Sequence, residues 1–104
     1  MDYRTASGFD WDEGNLAKCQ KHGVAIDEIE AVFHHQPAIA PDLAHSQAEQ
    51  RLIAIGKGRG ARPIFVVFTL REIDDEVLIR PVSARYMHQK EIDNYEEETA
   101  RPIH

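Results

Sequence analysis

The sequence PIFVVFTLR at residues 63–71 decides the fold of this chain. Successive side chains of a β-strand point to opposite faces of the sheet. The stretch places apolar side chains in both alternating sets, which are Ile64, Val66 and Phe68 in one and Phe65 and Val67 in the other. A strand that is apolar on both sides is typical of the inside of a sheet whose faces are covered. We therefore predict that residues 63–71 form a strand in the middle of a sheet.

Two further strands are predicted beside this one. Residues 51–57 form the first of them and are closed by a glycine-rich turn at residues 58–60. After residues 63–71, the Asp74-Asp75 pair is a turn signal, and residues 76–84 then form the third strand. Short turns between successive strands predict an antiparallel β-meander.

Helix signals stand at both ends of the chain. Asp12 is a suitable N-cap for a helix that runs to about residue 22, where Gly23 supplies the C-cap. A second helix over residues 26–34 carries an apolar stripe at helical spacing, and a last helix covers residues 88–98. Because two helices precede the strands and one follows them, the fold class is α+β, with an antiparallel meander sheet.

The 104 residues suffice for one domain, predicted over residues 1–104, with a loose leader at 1–8 and a tail at 99–104. A brief first strand is expected at residues 9–11, a short extended piece at 38–40 and a polar loop at 42–50.

Composition indicates a cytoplasmic protein. The longest apolar run is far shorter than the roughly 20 residues that a membrane-spanning helix requires, and the first residues lack the apolar core of a signal peptide. The single cysteine, Cys19, cannot form a disulfide within the chain and is expected to be a buried, inert thiol.

The net charge of −6 argues against general nucleic-acid binding. The acidic residues are concentrated around residues 72–76 and 91–98, however, and basic residues lie before and between these two groups. A local basic surface therefore stays possible on an acidic protein. Six histidines show no ligand spacing and the glycines around residue 58 precede a strand rather than a helix, so we predict no metal ion and no cofactor.

Cationic and imidazole side chains lie near the ends of several predicted elements. They are Lys18, Lys21 and His22 at the end of the first helix, Arg80 on the third strand, and Arg85 and His88 near the last helix. The acidic Glu91 follows at the same spacing of three residues, so Arg85, His88 and Glu91 share a face of the last helix and its entry. RNA cleavage without a metal needs a base for the 2′-OH, an acid for the leaving 5′-oxygen and cations for the phosphorane charge. Histidine and arginine supply these functions.

Each of these residues also has a structural interpretation. Lys21 and His22 suit a helix C-terminus electrostatically, His88 could cap the last helix, and Arg80 could pair with an acid on a neighbouring strand. The pattern of residues leaves both interpretations open.

Five blocks of sequence together resemble the BrnT family of type II toxins. They are FDWDEGNLAKCQKHGV at 9–24, AVFHHQP at 31–37, HSQAEQRLIAIGKG at 45–58, FVVFTLR at 65–71 and IRPVSARYMHQKEIDNYEE at 79–97. Their order and spacing agree with the family over nearly the whole chain. The most specific parts are Lys21-His22-Gly23 after a helix led by Trp-Asp, and Ser83-Ala84-Arg85 before the last helix.

The resemblance implies a RelE-like fold and a ribosome-independent endoribonuclease that is neutralised by an antitoxin of the BrnA type. Such antitoxins carry a ribbon-helix-helix domain, so the toxin would contact RNA and the antitoxin would contact DNA. The catalytic residues implied by motif are His22, Arg80, Arg85 and His88, with a histidine as acid or base and the arginines as phosphate clamps. Substrate-binding residues are expected to be Lys18, Lys21, Lys90 and Glu91.

A second hypothesis is a non-enzymatic protein of the same fold, acting as a scaffold or co-repressor for its antitoxin. Convergence of Arg80, Arg85 and His88 on one solvent-open cleft would favour the enzyme. Burial of Arg80 against Glu72 or Glu76 would favour the scaffold.

Overall fold

The computed structural model describes residues 2–43 and 49–100, the last six of these by backbone alone. The helices of the described residues are α1 (Glu13–Gln20), α2 (Ile26–His34) and α3 (Gln89–Ala100), with a 3₁₀ turn at Tyr3–Thr5. The strands are β1 (Gly8–Phe9), β2 (Ala38–Pro41), β3 (Leu52–Lys57), β4 (Pro63–Ile73) and β5 (Glu76–Tyr86). The α+β class is confirmed.

The strands form one five-stranded sheet in the order β1-β5-β4-β3-β2. The predicted central strand, β4, lies in the middle, and its neighbours β3 and β5 are antiparallel to it as expected. The prediction of a purely antiparallel sheet is wrong, because β1 runs parallel to β5 and pairs Gly8 with Leu78 and Phe9 with Ile79. The short β1 covers part of the edge that β5 would otherwise expose.

The helices follow their local signals with small shifts. Asp12 caps α1 through its side chain and forms a capping box with Asn15, whereas the helix ends at Gln20, two residues earlier than predicted. Gly23 adopts a φ of 85°, which suits the turn after the helix. α2 has the predicted bounds, and α3 begins one residue later and extends two residues further than predicted.

The N-terminal residues contact the rest of the fold. The Tyr3 ring packs against the Phe33 ring with a centroid distance of 6.1 Å, and the Ser7 amide donates a hydrogen bond to the Val77 carbonyl. These contacts attach the segment to α2 and β5. Residues 101–104 of the expected tail, and residues 44–48 of the expected loop, lie outside the described residues.

Both short helices pack on one face of the sheet, which we call the inner face. Its fully buried side chains include Phe68, Ile64 and Val66 of β4 together with Ile29 and Val32 of α2. Complete burial of an apolar side chain of this size contributes about 1.5–3 kcal/mol, so this layer dominates the stability of the domain. The opposite face, which we call the outer face, carries mainly half-buried and exposed side chains, with Thr69 buried among them.

A β-bulge in β5 sets which side chains reach the outer face. Val67 pairs with Ser83 while Phe68 pairs with Pro81, so β5 has one extra residue, Val82, at this point. Proline has no amide hydrogen for a ladder, and bulges tolerate it. Because of this extra residue, β5 side chains that lie an odd number of positions apart across the bulge point to the same face of the sheet.

Candidate functional site

Arg80 and Arg85 lie on the same face of the sheet because of the bulge. Five residues apart, they would occupy opposite faces of a regular strand. In the observed register Arg80 pairs with Thr69 and Arg85 pairs with Phe65, and these partners lie four residues apart on β4. Both arginines therefore project from the outer face, about 13 Å apart along the strand direction.

Arg85 belongs to a compact cluster at the start of α3. Its Nη1 and Nη2 atoms donate to the two carboxylate oxygens of Glu91 at 2.7 and 2.9 Å, which is a bidentate ion pair. Glu91 Oε1 also accepts a hydrogen bond from the His88 backbone amide at 2.9 Å. The Arg85 guanidinium carbon stands 4.6 Å from the centroid of the Phe65 ring. Glu91 thus joins His88 to Arg85.

The hydrogen bonds within the Arg85 cluster stabilise the charged forms of Arg85 and Glu91. The hydrogen bond from Arg85, followed by that from the His88 amide, lowers the pKa of Glu91 from 4.5 to about 2. The hydrogen bond to Glu91 raises the pKa of Arg85. Both groups are therefore ionised at neutral pH, and a phosphate that approaches Arg85 must compete with the Glu91 carboxylate.

Arg80 belongs to a second cluster, between β5 and the start of α1. Its Nη2 atom is 2.9 Å from Asp12 Oδ2 and its Nη1 atom is 3.3 Å from Asp10 Oδ2. Arg71 Nη1 is 3.7 Å from the same Asp10 oxygen. Burial opposes the charge on Arg80, but the hydrogen bond to Asp12 and the charges of both aspartates outweigh it and raise the pKa of Arg80.

The partners of Arg80 are not those that the sequence suggested. Glu72 and Glu76 were the candidates for the scaffold hypothesis, whereas the observed partners are Asp10 and Asp12. Asn15 holds this region together, because its side-chain amide donates to the Asp10 and Pro81 carbonyls at 2.9 Å each. Arg80 therefore has a structural role in addition to any contact with substrate.

A buried hydroxyl lies beside Arg80 on β4. Thr69 is 3% exposed, and within the described part of the chain its Oγ1 atom has no hydrogen-bond partner. An unpaired buried polar group costs about 1–3 kcal/mol and is uncommon in folded proteins.

Arg80 and Arg85, the centres of the two clusters on the outer face, both lie in a segment of sequence that matches a known protein family. The model of the ribonuclease toxin BrnT of type II toxin–antitoxin systems matches residues 11–91, more than three quarters of the chain. The chain belongs to the BrnT family. No curated protein sequence matches it.

The BrnT match includes the Arg85 cluster up to Glu91, its last residue, and from the Arg80 cluster it includes Arg80, Arg71 and Asp12. Asp10 lies just outside the range. The family resemblance that the five sequence blocks indicated is confirmed, and with it a ribonuclease toxin of a toxin–antitoxin system.

The remaining predicted residues of this BrnT chain lie elsewhere. Lys18, Lys21 and His22 are exposed at the end of α1. Eight helical residues span about 12 Å, so this group lies roughly one helix length from Asp12 and its partner Arg80. Lys90 is exposed on the first turn of α3. The contacts of the described residues bring together Arg85, His88 and Glu91, and they do not connect His22 to that cluster.

Other chemical groups of this BrnT chain are less suited to reaction. Cys19 is fully buried, and burial raises the pKa of its thiol to about 11. Among the side chains that the structure describes, no group of three or more His, Cys, Asp or Glu could hold a metal ion. No helix in residues 2–43 and 49–100 is long and apolar enough to cross a membrane.

A groove of about 340 Å³ lies on the outer face, and one of its lining residues is Phe65, whose ring contacts the Arg85 guanidinium. Its lining residues are Asp42, Arg51, Ile53, Phe65, Val67 and Ser83. No sequence signal identified this groove, because its walls come from three strands and a loop that are distant along the chain.

Proposed function

We propose that this chain is a metal-independent endoribonuclease, held inactive in the cytoplasm by a ribbon-helix-helix antitoxin of the BrnA type. The family match supports a ribonuclease toxin. The observation that carries the site is the bulge at Val82, since it turns Arg80 and Arg85 to one face. We also propose that the helices and sheet correspond to a RelE-like fold, in which this outer face receives RNA.

Arg85 and His88 are assigned to the reacting phosphate. The planar guanidinium of Arg85 matches two phosphate oxygens, and its stacking on Phe65 fixes the plane of the fork. The exposed His88 ring follows two residues after the end of β5 and acts as the acid or the base. Glu91 holds Arg85 in position until the phosphate takes over part of its hydrogen bonding.

The 2′-hydroxyl of one nucleotide gives its proton to a general base, and its oxygen attacks the adjacent phosphorus. The bond from phosphorus to the 5′-oxygen then breaks, and that oxygen takes a proton from a general acid. His88 fills one of these two roles, and a water molecule fills the other. The products are a 2′,3′-cyclic phosphate and a free 5′-hydroxyl. Arg80 binds phosphates of the RNA backbone further along β5. A second contact with RNA is formed at the end of α1 by His22, Lys18 and Lys21.

The test uses the purified full chain and a defined single-stranded RNA. Cleavage should persist in excess chelator, give cyclic-phosphate ends and stop when the scissile nucleotide is replaced by its 2′-deoxy form. His88→Ala should lower the cleavage rate by about 10²-fold or more, as expected for loss of an acid or base. His34→Ala, at an exposed histidine on α2, is the matched control and should cut normally. Cleavage that depends on a metal, or that survives His88→Ala, would contradict the proposed mechanism.

The antitoxin is tested in cells. Induction of the chain alone should arrest growth and degrade RNA, and co-expression of the protein encoded beside it should restore growth. A partner without a ribbon-helix-helix domain that restores growth would contradict the assignment of its type.

The scaffold hypothesis has one observation in its favour. Arg80 and Arg85 are both matched by carboxylates in the structure. Intact RNA and normal growth with folded protein, together with tight antitoxin binding, would establish the chain as an antitoxin-binding scaffold or co-repressor.

A further inference from the structure

The floor of the outer-face groove is apolar and its rim is polar. Ile53, Phe65 and Val67 come from neighbouring positions of β3 and β4 and are half-buried. Ser83 stands on the β5 side, opposite Val67. Asp42 and Arg51 stand on the other side of the groove and provide a carboxylate and a guanidinium.

The groove is continuous with the proposed phosphate site. Phe65 lines the groove, and the same ring carries the Arg85 guanidinium 4.6 Å from its centroid. A phosphate bound by Arg85 would therefore place the attached nucleotide at the edge of the groove. This continuity rests on the proposed function, because it uses Arg85 as the phosphate clamp.

The chemistry of the groove suits a flat ring with polar edges. Single-stranded RNA is recognised by stacking bases on aromatic rings and arginine planes and by hydrogen bonds to the base edges. Phe65 with Arg85 supplies the first kind of contact, and the Ser83 hydroxyl on the groove wall supplies the second. We infer that the outer-face groove is a nucleobase subsite that binds the base of a nucleotide next to the scissile phosphate.

A segment of the antitoxin is the competing occupant. The observations favour RNA because the groove adjoins Arg85, and because Arg80 and Arg71 lie on the same face. These arginine side chains are suited to bind the phosphates that follow this base along the RNA chain.

The test alters the groove without changing Arg85 or His88. Ser83→Leu adds volume to the β5 wall, and Val67→Ala enlarges the floor as a second variant in case the first does not fold. The matched controls are Ser7→Leu, at an exposed serine before β1, and Val77→Ala on the inner side of β5. All variants are compared by circular dichroism before any assay.

The first readout is cleavage of an RNA pool of randomised sequence. The wild-type chain should prefer particular bases at one position beside the cut. Ser83→Leu should lower kcat/KM about tenfold and flatten that preference, Val67→Ala should alter the preference, and both controls should behave as wild type. If Ser83→Leu and Val67→Ala are folded and cut with the wild-type rate and preference, the inference is overturned and the proposed function stands.

The second readout is binding of a hexanucleotide whose scissile nucleotide is 2′-deoxy. Bases on either side of that nucleotide are removed one at a time, and removal at one position should weaken binding by the wild-type chain about tenfold and by Ser83→Leu hardly at all. If the wild type shows this loss and yet cuts no RNA, the proposed function fails and the subsite stands. If it binds intact and abasic RNA equally, the subsite is overturned.

The third readout is neutralisation by the antitoxin. If the groove variants keep the wild-type RNA preference but escape the antitoxin, the groove is a protein-docking surface and the inference is overturned. Neutralisation of the variants at wild-type levels supports the subsite.

Discussion

Replacement of Arg80 by glutamine tests whether this residue is structural, catalytic or both. Arg80→Gln removes the ion pairs at 2.9 Å to Asp12 and at 3.3 Å to Asp10. Asp10 is only 21% exposed, and it would then face Arg71 alone at 3.7 Å. The attachment of α1 to β5 is weakened at the same time.

The magnitude follows from the burial of the guanidinium. Exposed ion pairs contribute about 0–1 kcal/mol, and hydrogen bonds to charged groups contribute about 1.5–3 kcal/mol when they are shielded from water. Because the Arg80 side chain is 21% exposed, we expect a loss near the middle of this scale, about 2 kcal/mol. For a chain of this size the melting temperature would fall by about 10 °C.

The assay is urea unfolding at 25 °C and neutral pH. Arg71→Gln is the matched control, since this side chain is 47% exposed and makes the longer contact, and it should change stability by less than about 0.5 kcal/mol. Asp12→Asn isolates the charge, because asparagine caps a helix as well as aspartate does. In the Arg80→Gln background, Asp12→Asn should lower the free energy of unfolding by less than it does in the wild-type chain.

Equal stability of Arg80→Gln and Arg71→Gln would refute this reasoning, as would full additivity of the Asp12 and Arg80 changes. The cleavage assay is then run where Arg80→Gln is still folded. A rate that follows the folded fraction makes Arg80 purely structural. A further loss of rate makes it a phosphate clamp as well.

Three further predictions concern other parts of the fold. Thr69→Val should raise the free energy of unfolding by about 1–2 kcal/mol, because it removes an unpaired buried hydroxyl, and a lower urea midpoint would contradict this. The pKa of Glu91 is about 2 in the folded chain against 4.5 ordinarily, so between these pH values the unfolded chain binds more protons and the stabilising effect of the pair is lost as pH falls. The stability difference between wild type and Glu91→Gln should therefore shrink from pH 5 to pH 2, and a constant difference in urea titrations would count against the pair with Arg85. Gly58→Ala should destabilise by about 1–3 kcal/mol in thermal unfolding, since its Cβ would lie 2.7 Å from the Glu28 carbonyl oxygen, whereas Gly60→Ala, where nothing lies within 4 Å, should have little effect.

Local signals predicted most elements of the fold. The Asp12 cap, the bounds of α2 and the central position of β4 each follow from a few consecutive residues. The turn at Asp74-Asp75 was also predicted, and both residues adopt the positive φ of a tight hairpin turn, 52° and 67°. Each of these features depends on interactions within a short stretch of chain.

Features that depend on distant residues were not predicted. The parallel pairing of β1 with β5 joins segments about seventy residues apart, and nothing in Gly8 or Phe9 specifies that partner. The ion pairs of Arg80 with Asp10 and Asp12 also join residues that are distant along the chain, and nothing in the local sequence specifies these partners. Candidate site residues could be named by type and motif, but their grouping could not, because the sequence does not show the bulge at Val82 that decides which arginines share a face.

Because β5 is translated long after β1, the order of synthesis affects how the sheet forms. Translation delivers β1 and α1 first, yet β1 has no strand to join until residues 78–79 have left the ribosome. A chain that terminates before residue 76 would lack Arg80 and Arg85 and would leave one edge of β4 bare. Bare edges of incomplete sheets promote aggregation. Premature termination would therefore yield an insoluble fragment without nuclease groups rather than a partly active toxin.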